Sequence, residues 1–247
     1  AFLDAIKEAD SGKGVACLYG NYAGDNMNVK MAVQMAEDDD IEVKYVVAND
    51  DVASAPKAVK EQRHGIAGGF FMWKVGGARA AKGGSLDDVI ASAQNVVNRT
   101  KSICVGLEPC VIPALGHSNF KIEDGTMEFG VGHHGEAGTK VEKLKSASEM
   151  AQEMAETILN DFDFEEGKEV AVMLSSLGAT PVMELYVLYD EVEKVLAKAG
   201  HKVWKTYIGN YVTSLDMNGA SLTIVDLDDE IKELLSEPAV PIGMKNY

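Results

Sequence analysis

Short apolar runs alternate with amphipathic stretches along this chain. Positions 1–9 are helix-like. Val15, Ala16, Cys17, Leu18 and Tyr19 form an apolar run closed by Gly20, the pattern of a buried strand. Positions 27–37 then switch to helical spacing, with Val29, Ala32, Val33 and Ala36 at i, i+3, i+4 and i+7. Positions 41–47 alternate and predict a strand. Positions 70–82 and 86–100 predict helices, with Ser85 as N-cap of the second and Asp87 and Asp88 in its first turn. Strand patterns follow at 103–107, 111–112 and 127–131. A polar face and an apolar stripe run from 142 to 162 and predict one long helix. Beyond it the pattern predicts a strand at 170–174, a helix at 183–199 stopped by Gly200, strands at 203–208 and 221–225, and a short helix at 228–235.

This order predicts an α/β protein of two lobes, each a mixed β-sheet flanked by helices, divided near residue 100 into 1–100 and 101–247. No low-complexity linker marks the boundary. Gly20-Asn21-Tyr22 and Gly209-Asn210-Tyr211 each follow a short apolar strand. Such strand-exit loops are where α/β sheets place ligands.

Charge narrows the choice of partners. The formal net charge is −16, which repels phosphate backbones and argues against nucleic acid. No apolar run approaches the ~20 residues of a membrane-spanning helix. Cys17, Cys104 and Cys110 are odd in number and lack metal-ligand spacing, so they read as reduced thiols of a cytoplasmic protein.

The densest polar feature is Gly130-Val131-Gly132-His133-His134-Gly135-Glu136-Ala137-Gly138. Its first six residues spell G-x-G-x-x-G, but a dinucleotide site needs an apolar helix directly after, and Glu136-Ala137-Gly138-Thr139 does not start one. A metal site drawn from His133, His134, Glu136 and His117 is a second reading, although adjacent histidines lack the i, i+4 spacing that seats two imidazoles on one metal. A third makes one histidine a nucleophile or base, since glycine leaves the backbone open and neutral imidazole is nucleophilic near pH 7. The bland reading is a glycine turn with solvated histidines. Asp25, after the first strand, reads either as a helix cap or as a general base on a bound alcohol. Residues 63–69 and 213–217 are lesser candidates, each more often a turn or a cap. No G-x-x-x-x-G-K-[ST] stands anywhere.

Together these motifs resemble the DhaK family of dihydroxyacetone-binding kinase subunits. The matching segments, in the family's order, are Asn21-Tyr22-Ala23-Gly24-Asp25 with Met27-Asn28, Asp50-Asp51-Val52, Arg63-His64-Gly65-Ile66-Ala67-Gly68, the 130–138 loop, Leu177-Gly178 with Glu184-Leu185-Tyr186, and Thr213-Ser214-Leu215-Asp216-Met217. The resemblance implies that His134 holds the substrate carbonyl as a hemiaminal, that Asp25 is the base on its terminal hydroxyl, and that Gly20, Asn21, Gly24, Gly132 and Gly135 line the substrate site. It implies lobes 1–100 and 101–247, the second carrying the anchor histidine. It further implies a two-component kinase and a homodimer, with no cofactor or metal in this chain. A DhaL-type partner would bring ADP or ATP with Mg, and a phosphotransferase-system protein would recharge ADP. The family's N-terminal Gly-His-Glu-Pro segment has no counterpart here, so the chain is expected to begin inside the family pattern. Gly20 stands where many members have lysine. This makes a four-carbon ketose such as erythrulose an alternative substrate, and the family also contains ketose-binding transcriptional co-regulators.

Overall fold

A computed structural model describes residues 1–118, 120–162 and 167–241. The first hundred residues form α1 (Phe2–Ala9), β1 (Val15–Gly20), α2 (Ala23–Glu37), β2 (Val43–Ala48), a 3-10 segment (Lys57–Gln62), α3 (Gly69–Ala81) and α4 (Leu86–Asn98). The remainder forms β3 (Thr100–Glu108), β4 (Thr126–Phe129), β5 (Lys140–Lys143), α5 (Ala147–Asp161), β6 (Glu169–Ser176), α6 (Val182–Lys198), β7 (Lys202–Gly209), β8 (Asn218–Asp226) and α7 (Asp229–Ser236).

The α/β class stands, but the two sheets differ. The first has two parallel strands, β1 and β2. The second is a mixed six-stranded sheet in the order β5-β4-β3-β8-β6-β7, parallel only between β6 and β7. Beyond β2 the chain runs beside the start of β3. Ser102 donates its amide to the Asp50 carbonyl at 2.8 Å, and Val52 donates to Ser102 at 3.0 Å.

Strand alternation sorts side chains onto the faces of the large sheet. On β6, Val170, Val172 and Leu174 pack with Met154, Ile158, Leu185 and Val192 of α5 and α6. Ala171 and Met173 face the other way, against Phe71 and Val75 of α3, Val96 of α4 and Leu234 of α7. That second cluster draws on residues from both sides of position 100. Helices on both faces explain why β6 reads as a continuous apolar run.

Three expected elements change. The 142–162 helix is a strand, β5, followed by α5. Residues 140–143 pair with β4, and Ser146 starts the helix with a reciprocal capping box to Glu149. Residues 111–112 form no strand. Ile112 makes one bridge to His117 across a turn. Helix α2 starts at Ala23, four residues before its apolar spacing begins. The helix at 86–98 has the expected Ser85 cap, boxed with Asp88.

Candidate functional site

The loop leaving β1 is fixed by amides. Asn21 Nδ2 donates to the carbonyls of Arg63 at 2.6 Å and Glu61 at 3.1 Å. Asn21 Oδ1 accepts from Asn26 Nδ2 at 2.7 Å, and Asn26 Oδ1 accepts from the Tyr19 hydroxyl at 3.0 Å. Gly20 lies against Gly65. A Cβ on Gly65 would stand 2.3 Å from the Ala48 carbonyl oxygen and 2.7 Å from Gly20 Cα, closer than real atoms approach. A Cβ on Gly20 would stand 3.0 Å from the Gly65 oxygen. Gly24 has open space around it. Asp25, half-buried, is the third residue of α2; it neither caps the helix nor forms an ion pair among the described residues. Its carboxylate sits where the helix dipole favours negative charge.

The 130–138 loop joins two antiparallel strands, so the G-x-G-x-x-G spacing opens no helix. This removes the dinucleotide reading. Gly130 and Gly135 take φ of 78° and 81°, which glycine adopts freely. Gly132 has another reason: a Cβ there would lie 2.2 Å from Glu136 Oε2. Glu136 folds back over Gly132, accepting the His134 amide at 2.9 Å and facing His134 Nδ1 at 3.1 Å. Its carboxyl is held below the usual range by these hydrogen bonds and the imidazole, against the opposing effect of its own partial burial.

The adjacent histidines have opposite surroundings. The His134 side chain is 66% exposed. His133 is buried, its carbonyl accepts the Ser214 hydroxyl, and its Nε2 has no partner. Burial pushes the His133 pKa down to about 4, so it is neutral near pH 7. Tyr22 joins the two loops: its ring stacks on His64 with centroids 4.8 Å apart and meets the edge of His134 at 4.7 Å. The Tyr22 hydroxyl is buried without a partner, and its pKa is raised first by burial, then by the nearby Glu136 and Asp51 charges.

Asp50 and Asp51 lie beneath. Asp50 accepts the amides of Ile66 at 3.0 Å and Gly68 at 2.7 Å, and burial raises its pKa. Asp51, 2% exposed, is pushed up to about 7, chiefly by burial. Arg63 is structural. It is buried, donates from Nε to the Ala55 carbonyl at 2.8 Å and clasps Asp161 with two 2.7 Å bonds. The 63–68 segment therefore shapes the floor of the site through its backbone. Sequence reasoning gave Tyr22, His64 and Asp51 no individual part and considered Glu136 only as a metal ligand. For the first three the only signal was membership in the motifs that carry the resemblance.

A cavity of about 500 Å³ is bounded by His133, His134, Cys110, Ile112 and the loop 212–215. Among the described residues, no group of three or more His, Cys, Asp or Glu side chains is placed to hold a metal ion. His117 turns its Nδ1 to the Ser118 carbonyl at 2.9 Å. No described helix is long and apolar enough to cross a membrane.

Comparison with known proteins follows this geometry. The family model of the Dak1 domain matches residues 1–242. The chain is 40% identical over 227 residues to the dihydroxyacetone-binding subunit DhaK of a PTS-dependent dihydroxyacetone kinase from Listeria innocua, covering 92% of this chain and 69% of the relative. It is 37% identical over 233 residues to the D-erythrulose kinase of Mycolicibacterium smegmatis, covering 94% of this chain and 40% of that longer protein. A solved structure of the dihydroxyacetone kinase operon co-activator DhaQ superposes with a TM-score of 0.89 at 30% identity, over 96% of this chain and 73% of that one.

Proposed function

This chain belongs to the Dak1 domain family, and on that premise we propose that it is the ketose-binding subunit of a two-component dihydroxyacetone kinase, a phosphotransferase. The observation that carries the reading is an exposed His134 ring whose Nδ1 faces Glu136 at 3.1 Å. In the reading, the Nδ1 proton is donated to Glu136, and the Nε2 lone pair is left for an incoming carbonyl. The lone pair adds to the ketose carbonyl carbon. The C–N bond forms as the C=O π bond breaks. The new oxygen takes up a proton, and Nδ1 releases one through Glu136, so the hemiaminal has the mass of protein plus ketose. Held this way, the ketose presents its terminal hydroxyl in a fixed place, which removes much of the entropic part of the transfer barrier.

Asp25 takes the proton from that hydroxyl as its oxygen attacks phosphorus. The phosphoryl group would come from a nucleotide held by a DhaL-type partner, with Mg there to neutralise the developing charge. No described cluster of this chain fits a metal, and the steps assigned to this chain are carbonyl capture and proton removal. The reading includes a homodimer. It also places the protein in the cytoplasm, where free Cys17, Cys104 and Cys110 stay reduced.

Intact-mass measurement under gentle ionisation, with dihydroxyacetone and with erythrulose, tests capture. An adduct on the parent and none on His134→Ala is expected. No adduct on the parent would overturn the assignment. The fit to the co-activator structure favours a second reading, a ketose-binding regulator. Asp25 separates the two, because capture needs His134 and transfer needs the base. With a nucleotide-bearing subunit added, Asp25→Asn should lower turnover at least about a hundredfold while the adduct still forms. A regulator has no turnover to lose.

A further inference from the structure

The cavity beside His134 is bounded only by residues of position 110 and higher. Tyr22, one turn before Asp25, meets His134, yet neither Tyr22 nor Asp25 borders the cavity. A ketose fixed through its carbonyl on His134 therefore has two arms in different surroundings. With the arm to be phosphorylated turned to Asp25, as the proposed function requires, the cavity is left for the other.

The wall that meets this second arm is unusually well fastened for a loop. The Tyr211 and Val212 amides both donate to Ser175 Oγ, at 3.1 and 3.0 Å. The Ser214 amide donates to the Leu177 carbonyl at 2.7 Å, and its hydroxyl to the His133 carbonyl. Asp216 accepts the Val111 amide at 2.7 Å. Between these ties, Thr213 is exposed and its hydroxyl has no partner among the described residues. Leu215 is 57% exposed and takes φ of 47°, a strained left-handed conformation for leucine. The Leu215 carbonyl is pinned over Gly178, where a Cβ would lie 1.9 Å from it. Backbone strain of the kind held at Leu215, at a cavity mouth, clusters at ligand sites.

We propose that the Thr213–Leu215 wall is where this subunit reads the length and hydroxylation of the ketose arm that is not phosphorylated. The Thr213 hydroxyl pairs with a hydroxyl on the fourth carbon, and Leu215 limits the length of the arm. This rests on the hemiaminal reading of His134. It adds where chain length is measured, and by which residues. A cavity of about 500 Å³ lies within the range of sites for ligands larger than a triose.

Adduct formation is measured by intact mass on the full chain, with dihydroxyacetone and erythrulose together in one sample, and separately with 1-hydroxybutan-2-one, which has four carbons but no distal hydroxyls. The parent is expected to capture erythrulose, and to prefer it to 1-hydroxybutan-2-one. Thr213→Val keeps the side-chain shape and removes the hydroxyl. It should lower the erythrulose-to-dihydroxyacetone ratio roughly three- to tenfold, the worth of one neutral hydrogen bond. Any loss of folded protein cancels in that ratio. Leu215→Gly suits the positive φ and should raise the share of a five-carbon ketose offered in competition. An unchanged ratio in Thr213→Val, or a parent that captures dihydroxyacetone and rejects erythrulose, overturns the proposal alone. A parent that captures neither ketose overturns the His134 reading itself.

Discussion

Asp51 makes folding stability depend on pH in a way that one substitution can expose. Burial lifts its pKa from an ordinary value of about 3.9 to about 7. Between those values the folded protein holds a proton that the unfolded chain has released. Stability therefore falls as pH rises through this window and levels off above it. Integrated from pH 5 to pH 8, the loss is about 2.5 kcal/mol. Asp51→Asn keeps an oxygen for the Ala53 amide, which Asp51 Oδ1 accepts at 3.0 Å, and removes the titration. Seating the extra amide group has a cost, but one that does not vary with pH. The stability of the variant relative to the parent should thus climb by about 2.5 kcal/mol between pH 5 and pH 8, or about 5–10 °C in Tm for a domain of this size. Urea unfolding of both proteins across that range reads the difference directly. A gap that stays constant with pH would show that Asp51 titrates as an ordinary carboxylate, and the account of the floor of the site would be wrong.

Other consequences are as direct. Glu136→Gln keeps an oxygen near His134 Nδ1 but loses the charge that draws its proton, so the rate of hemiaminal formation should fall about tenfold or more; an unchanged rate in timed intact-mass samples would remove Glu136 from the mechanism. Arg63→Leu or Asp161→Leu alone leaves a buried charge without its partner and should cost about 3–5 kcal/mol, whereas the double variant should lose much less than the sum; additive losses in a denaturation cycle would contradict a coupled pair. Gly65→Ala forces a Cβ to 2.3 Å from the Ala48 oxygen, so β2 and the Gly20 loop must separate. A drop in stability of about 1–3 kcal/mol with weakened ketose capture is expected, and parent-like thermal unfolding would refute the tight contact.

Local pattern determined much of this protein. The apolar run at 15–19, the helical spacing at 27–37 and the Ser85 cap each specify an element without help from the rest of the chain, because backbone preference and one buried face are enough. Glycine spacing also marked the segments that carry Asp25, at the start of α2, and His134, in the 130–138 loop. Tertiary structure decided what those loops do. The stretch at 142–162 has helical periodicity throughout, yet residues 140–143 become a strand because the glycine turn delivers them to the edge of β4. Two histidines that look equivalent in sequence part because one ring is enclosed while the other stands outward beside Glu136. Arg63, a charged residue in a glycine-rich motif, is buried because Asp161 waits 98 residues away. Asp51 is shifted by burial that no neighbour in sequence reveals, and the wall at 212–215 is held at its start by one hydroxyl of β6, that of Ser175. Periodicity reports which face of an element is apolar. It carries no information on which distant side chain completes a hydrogen bond or withdraws a carboxylate from water, and those pairings set the chemistry of the site.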